Sequence, residues 1–96
     1  MFNELDPILH SQLRLSIISI LMTVEEAEFT FIKESTGAAA GNISIQIKKL
    51  QDAGYVKVEK TFKNNYPNTT VSITNRGIKA FEDYVNDLKK YINPKK

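Results

Sequence analysis

Apolar residues change their spacing several times along the chain, and each change marks an element. From Asp6 onward, Leu13, Ile17, Ile20, Leu21 and Val24 recur at helical spacing and form one stripe, while Ile8, Leu15, Ile18 and Met22 are apolar on other sides. Asp6-Pro7 has the form of a helix start, an acidic cap followed by proline at the first helical position, so a first helix is expected from there to about Thr23. A helix apolar on several sides needs two partners: a central core position accounts for this, and so does a subunit contact along part of its length. Glu25 and Glu26 break the pattern. Phe29-Thr30-Phe31 then opens a short helix through Thr36 with Thr30 as cap, and Gly37 ends it.

The next stretch is ambiguous, because Ile43, Ile45 and Ile47 alternate with polar residues as a strand would. Ile43, Ile47 and Leu50 also satisfy helical spacing, Lys48-Lys49-Leu50-Gln51 favours helix, and Ala53-Gly54 supplies a stop. A helix from about Ala39 to Ala53 is therefore expected, with Ile45 pointing away from the core. After Gly54 the period becomes two. Tyr55 to Phe62 reads as a strand exposed on one face and Thr69 to Ile73 as its partner, with Lys63-Asn64-Asn65-Tyr66-Pro67-Asn68 as a long polar tip between them. Thr74 or Asn75 caps a last helix to about Ile92, whose stripe is Ile78, Phe81, Val85, Leu88 and Ile92, widened by Tyr84 and Tyr91. Residues 93–96 read as a frayed tail.

Helix, glycine turn, helix, hairpin and final helix is the order of a winged helix-turn-helix, with a short first strand expected near Glu28 to Thr30. The fold class is thus mainly α with a small β-hairpin (α+β), in a single domain over residues 1–96. The 42% apolar content suffices for one compact core in a chain of 96 residues.

Charge gives this architecture a direction. Net charge is only +2, but residues 1–40 hold six acids against two bases, and residues 41–80 hold seven bases against two acids. A basic middle on an acidic scaffold suits a surface that meets a polyanion, because phosphate neutralisation supplies most sequence-independent affinity. A solvated lysine-rich surface is the plainer explanation of the same charges. There is no cysteine, so no disulfide framework or Cys-based metal site is available. The longest apolar run, Ile17 to Met22 with Ser19 inside it, falls far short of the roughly 20 residues of a membrane span. The N-terminus lacks the basic start of a secretory signal, and a cytoplasmic location is expected.

The wording of the segments adds a resemblance. Gly41-Asn42-Ile43-Ser44, then Ile47, Leu50, Ala53-Gly54-Tyr55-Val56 and Lys60, resembles the "GNLS..L..LE.AGYV...K" stretch of MarR-like and ArsR-like transcriptional regulators. Leu5-Asp6, Ile8, His10 and Arg14-Leu15 are similar to the "LD..IH...RL" opening of the short single-domain members, and Thr74-Asn75-Arg76-Gly77 to their "LT..G" entry into the final helix. The likeness spans about residues 5–88. It implies a recognition helix over about 41–53, a wing over about 62–69, and terminal helices that dimerise. The Ile45-Gln46 pair departs from the basic or aromatic residue and histidine common in such helices, and Lys63, Asn64 and Asn65 stand where a wing arginine is usual. Weaker or less A/T-selective wing contact follows from the second departure.

With Ile43, Ile47 and Leu50 facing the core, the opposite side of the recognition helix offers Asn42, Ser44, Ile45, Gln46, Lys48 and Lys49. Gln46 has the groups to pair bidentately with adenine, Ser44 is adaptable, Ile45 suits a thymine methyl, and the lysines suit phosphate. On the wing, Lys60, Lys63, Asn64, Asn65, Asn68 and Thr69 are the candidates for backbone or minor-groove contact. Phe2, Leu5, Ile8, Leu9, Phe81, Tyr84, Val85, Leu88, Tyr91 and Ile92 are more apolar side chains than a chain this short readily covers, so they are assigned to a homodimer interface. Packing of first and last helices within one chain accounts for some of them.

An enzymatic role finds little support. His10 is the one histidine, there is no glycine-rich phosphate loop, and Glu25, Glu26 and Glu28 lack companion metal ligands. Neither cofactor nor metal is expected. A winged helix serving as a protein-interaction module is the alternative, with the basic face favouring double-stranded DNA. A small-molecule effector between the first and last helices, near Met22, Tyr84 and Tyr91, is a further option that the sequence does not specifically indicate.

Overall fold

The computed structural model describes residues 2–93; of the expected frayed tail, residues 94–96 lie outside the described residues. The elements are α1 (Gln12–Leu21), β1 (Ala27–Glu28), α2 (Phe29–Thr36), α3 (Ala40–Asp52), β2 (Val56–Lys63), β3 (Tyr66–Ile73) and α4 (Asn75–Ile92). The strands form one antiparallel sheet in the order β1-β3-β2. Four helices and a three-stranded sheet give the expected α+β winged helix.

The first helix is shorter than its apolar pattern implies. Asp6 does cap a turn, since its Oδ1 accepts from the Ile8 N–H at 2.8 Å and the Leu9 N–H at 3.4 Å. The turn stops at Ser11, whose backbone is extended at φ −151°. The Ile8 carbonyl, which a continuous helix would bond to the amide of Gln12, instead accepts from Arg14 Nε at 2.6 Å. Residues 2–10 therefore form an arm rather than the start of α1. The helix ends at Leu21, so Val24 lies beyond it and is exposed. The buried face of α1 is Ile17, Ile18 and Leu21, so Ile18 belongs to the core that the stripe assigned elsewhere.

Gly37 ends α2 in the left-handed conformation at φ 71°, as its position predicts. The Ile43-Ile45-Ile47 alternation resolves as helix: Ile43, Ile47 and Leu50 are buried, and Ile45 is 57% exposed. Leu9, Ile17, Ile18, Leu21, Ile32, Ile43, Leu50 and Val71 fill the centre, which is where α1, α2 and α3 meet one face of the sheet. Complete burial of one such aliphatic side chain is worth about 1.5–3 kcal/mol.

The hairpin corrects the expected long tip. The strands run in unbroken register from Val56↔Ile73 to Lys63↔Tyr66, and only Asn64 and Asn65 turn the chain. Both have positive φ, 52° and 67°, as a two-residue type I′ turn requires, and asparagine tolerates this better than most residues. The distal half of the hairpin extends past the core into solvent. The molecule measures 58 × 25 × 21 Å with a radius of gyration of 14.7 Å. A compact chain of this length would have about 12.5 Å.

The start of α4 is latched to the turn before β2. Thr74 Oγ1 donates to the Gly54 carbonyl at 2.7 Å and accepts from the Gly77 amide at 3.0 Å, while the Thr74 amide donates to the Tyr55 carbonyl at 3.0 Å. Gly77 is buried because this latch leaves no room for a side chain. Farther along, α4 is flanked by the arm. Phe2 stacks on Tyr91 with ring centroids 4.6 Å apart, Asn3 Nδ2 donates to Asp87 at 2.9 Å, and His10 Nδ1 and Tyr84 Oη share a hydrogen bond at 3.0 Å.

Candidate nucleic-acid interface

On α3, Asn42, Ser44, Ile45, Lys48 and Lys49 are all exposed, and Gln46 is half-buried. Three buried residues one helical face away hold this surface outward, so it is a consequence of core packing rather than of helix propensity. Beside it runs a cleft of about 400 Å³ lined by Ser44, Lys48 and Gln51 of α3 and by Val58, Lys60 and Thr69 of the hairpin. Thr69 and Lys60 are directly opposed on neighbouring strands, which aims both at α3. Helix and wing thus present one continuous surface. Gln51 is an addition to the residues expected from the sequence, and it lies three residues beyond Lys48 and seven beyond Ser44 on the same helix face.

The lysines are not equivalent. Lys48 Nζ reaches Asp52 at 2.8 Å, Lys57 reaches Glu59 at 3.3 Å, and Lys63 reaches Glu28 on β1 at 3.3 Å. All three pairs are solvent-exposed and worth about 0–1 kcal/mol each, so they exchange readily for a phosphate partner. Lys49 and Lys60 make no ion pair among the described residues. At the turn, Asn64 and Asn65 are exposed, whereas Asn68 and Thr69 are half-buried.

Gln46 sits differently from its exposed neighbours. Its Oε1 accepts from Arg14 Nη1 at 2.5 Å, and its Nε2 donates to Asn42 Oδ1 at 2.9 Å. In the sequence Arg14 belongs only to the opening segment, and no spacing rule connects α1 to α3 across 32 residues.

The ten residues assigned to a subunit contact divide into three groups by exposure. Leu9 and Tyr84 are 0% and 4% exposed, so they belong to the core of the chain. Leu5, Ile8, Phe81, Val85 and Leu88 are half-buried, whereas Phe2, Tyr91 and Ile92 are 58%, 44% and 73% exposed. Met22, Phe81 and Val85 border a recess of about 580 Å³ on the outer side of α4.

Residues 13–92 match the family model described as a winged helix DNA-binding domain. The chain belongs to that family. This winged-helix chain is 32% identical over 81 residues to an uncharacterized protein of Methanocaldococcus jannaschii, covering 84% of its own length and 88% of the relative. A solved transcriptional regulator homologue from Pyrococcus horikoshii is 30% identical, with a TM-score of 0.83 over 90% of this chain and 85% of that one. Fold likeness extends to more distant winged helices. Bacillus subtilis PadR in complex with operator DNA gives a TM-score of 0.70 at 19% identity, covering 78% of this chain and 47% of PadR. An E. coli MarR mutant complexed with operator DNA gives 0.71 at 14%, covering 90% and 61%. The winged-helix assignment and its kinship with transcriptional regulators therefore stand. No helix among the described residues is long and apolar enough to cross a membrane.

Proposed function

We propose that the protein is a transcriptional regulator that binds double-stranded DNA as a homodimer, with α3 in the major groove and the β2–β3 hairpin on the adjacent backbone or minor groove. The observation that carries this reading is the cleft where Ser44 and Lys48 of α3 face Lys60 and Thr69 of the wing. Base edges meet Asn42, Ser44, Ile45 and Gln46, and phosphates meet Lys48, Lys49, Lys60 and Lys63. Asn64, Asn65, Asn68 and Thr69 supply polar wing contacts. Ile45 is 57% exposed on the same helix face, and a thymine methyl offers it an apolar partner. No catalytic step is assigned to the chain.

Dimerisation uses the outer side of α4 and the arm: Phe2, Leu5, Ile8, Phe81, Val85, Leu88, Tyr91 and Ile92. An isologous contact there repeats the recognition helix by two-fold symmetry and suits a pseudo-palindromic site. The deciding experiment is binding to random-sequence duplexes at two salt concentrations, with sizing of the free protein. A dimer whose affinity falls steeply with salt supports the reading. No binding at low salt refutes it and redirects attention to a protein partner. Replacing Lys48 and Lys49 together by alanine should weaken binding to all sequences and reduce the salt slope by about 1 per lost phosphate contact.

A further inference from the structure

We infer that Phe62 and Pro67 form an apolar edge of the wing that packs against the deoxyribose walls of the minor groove beside the bases met by α3. The inference rests on the DNA-binding reading above and adds an apolar contact to it. Its basis is the register of the hairpin. Directly opposed residues of paired strands point to one face of the sheet, and so do residues two apart on one strand. Val56, Val58, Lys60 and Phe62 of β2 therefore share a face with Ile73, Val71, Thr69 and Pro67 of β3. Burial of Val56 and Val71 identifies it as the face turned to the helices, and Val58, Lys60 and Thr69 line the cleft against α3. Phe62 and Pro67 are the next step outward on that face, about 7 Å farther along the strands.

Phe62 is 78% exposed, and Pro67 is exposed beside it. The Lys63–Tyr66 pair closes the two-residue turn, so Phe62 and Pro67 form the next, closely spaced pair, whose backbone amide positions point outward from the hairpin. Proline fits there without losing a bond to β2. Lacking an N–H, it also blunts the open edge of β3, which β1 covers only at Thr70 and Val71. The tip is therefore poorly suited to receiving a strand from another protein. Charge favours DNA instead, because Lys60 is the one charged residue on this face of the hairpin and makes no ion pair among the described residues. The acids of the sheet, Glu59 and Glu28, lie on the other face with Lys63. Phenylalanine and proline are among the apolar side chains that minor-groove proteins place against DNA. Tyr66, similarly exposed at 73%, points to the other face and serves as an internal control.

The test uses a duplex that the wild type selects from a random-sequence pool and compares Phe62→Ser, Phe62→Leu and Tyr66→Ser, each first checked by thermal melting and sedimentation. Affinity is measured across a range of salt, and hydroxyl-radical footprints report which sugars are covered. Phe62→Ser should melt as the wild type does, because the side chain is exposed, yet bind about tenfold more weakly. Its salt slope should be unchanged, since no phosphate contact is lost, and protection of minor-groove sugars beside each half-site should disappear. Phe62→Leu should keep most of the affinity, and Tyr66→Ser all of it. Wild-type affinity in Phe62→Ser, or an equal loss in Tyr66→Ser, overturns the proposal while the DNA reading stands. So does conversion of Phe62→Ser to a monomer, which would assign the tip to a second copy of the chain. Absence of salt-sensitive binding by the wild type overturns both.

Discussion

Replacing Gly77 by alanine probes the most crowded of the four glycines. A Cβ there would overlap the Tyr55 carbonyl oxygen and lie 2.8 Å from Ile73 Cγ1 and 3.0 Å from the Tyr55 carbonyl carbon. The carbonyl cannot retreat freely, because it already accepts from the Thr74 amide at 3.0 Å, and Thr74 is tied to Gly54 and Gly77. Relief requires lifting the start of α4 off this turn. Overpacking of this kind costs about 1–3 kcal/mol, and each hydrogen bond lost from the latch adds about 1 kcal/mol. Helix propensity returns at most about 1 kcal/mol. The net expectation is a loss of about 2–4 kcal/mol, or a drop in Tm of about 10–25 °C for a chain of this size. Thermal and urea unfolding followed by circular dichroism, at one protein concentration, measure it. Gly41→Ala is the control, since a Cβ at Gly41 meets nothing within 4 Å and should leave stability equal or slightly higher. A Gly77→Ala protein within about 0.5 kcal/mol of wild type, the usual range of an innocuous surface change, would refute the crowding argument.

Three further outcomes follow from the same geometry. Burial and the hydrogen bond that its hydroxyl donates to Asp6 push the Tyr55 phenol from 10.0 up to about 12. The neutral phenol is favoured in the fold, so its contribution is complete below pH 10 and is lost as pH rises toward 12. Urea midpoints measured across that interval should fall more steeply for wild type than for Tyr55→Phe, and parallel curves would contradict the assignment. Ile45→Ser should leave Tm within about 1–2 °C, because the side chain is 57% exposed, yet weaken binding to a selected duplex; unchanged affinity would remove Ile45 from the interface. Aspartate at both Phe81 and Ile92 should give a folded monomer by sedimentation, and a persisting dimer would move the subunit contact elsewhere.

Which parts of the fold were legible depended on whether one segment could decide its own structure. Gly37 and Thr74 mark helix ends through local backbone and capping chemistry, and both do what their positions predict. The alternating isoleucines of α3 were resolved by residues outside the alternation, above all Leu50 and the Ala53-Gly54 stop. Two boundaries failed for identifiable reasons. The arm has helical composition up to Ser11, but Arg14 takes the Ile8 carbonyl that would have continued the helix. The wing tip is rich in turn residues over six positions, whereas two asparagines with positive φ suffice to reverse the chain. The surplus turn formers Pro67 and Asn68 sit in a strand because they pair with Phe62 and Thr61 in register.

The candidate interface follows a harsher version of the same division. Exposure of Asn42, Ser44, Lys48 and Lys49 could be read from the period of α3 alone, because a buried stripe of Ile43, Ile47 and Leu50 determines its own opposite. The state of Gln46 could not, since its oxygen is claimed by a residue on another helix. Residue type gave Gln46 the repertoire of an adenine reader; tertiary structure engages one lone pair of its oxygen and one of its amide hydrogens. The same holds for Leu9 and Tyr84, whose apolar character placed them with the surface residues of the arm and α4 until packing enclosed them. A helix period tells which side chains face outward, but only the neighbours across the fold decide which hydrogen-bonding groups those side chains still have to offer.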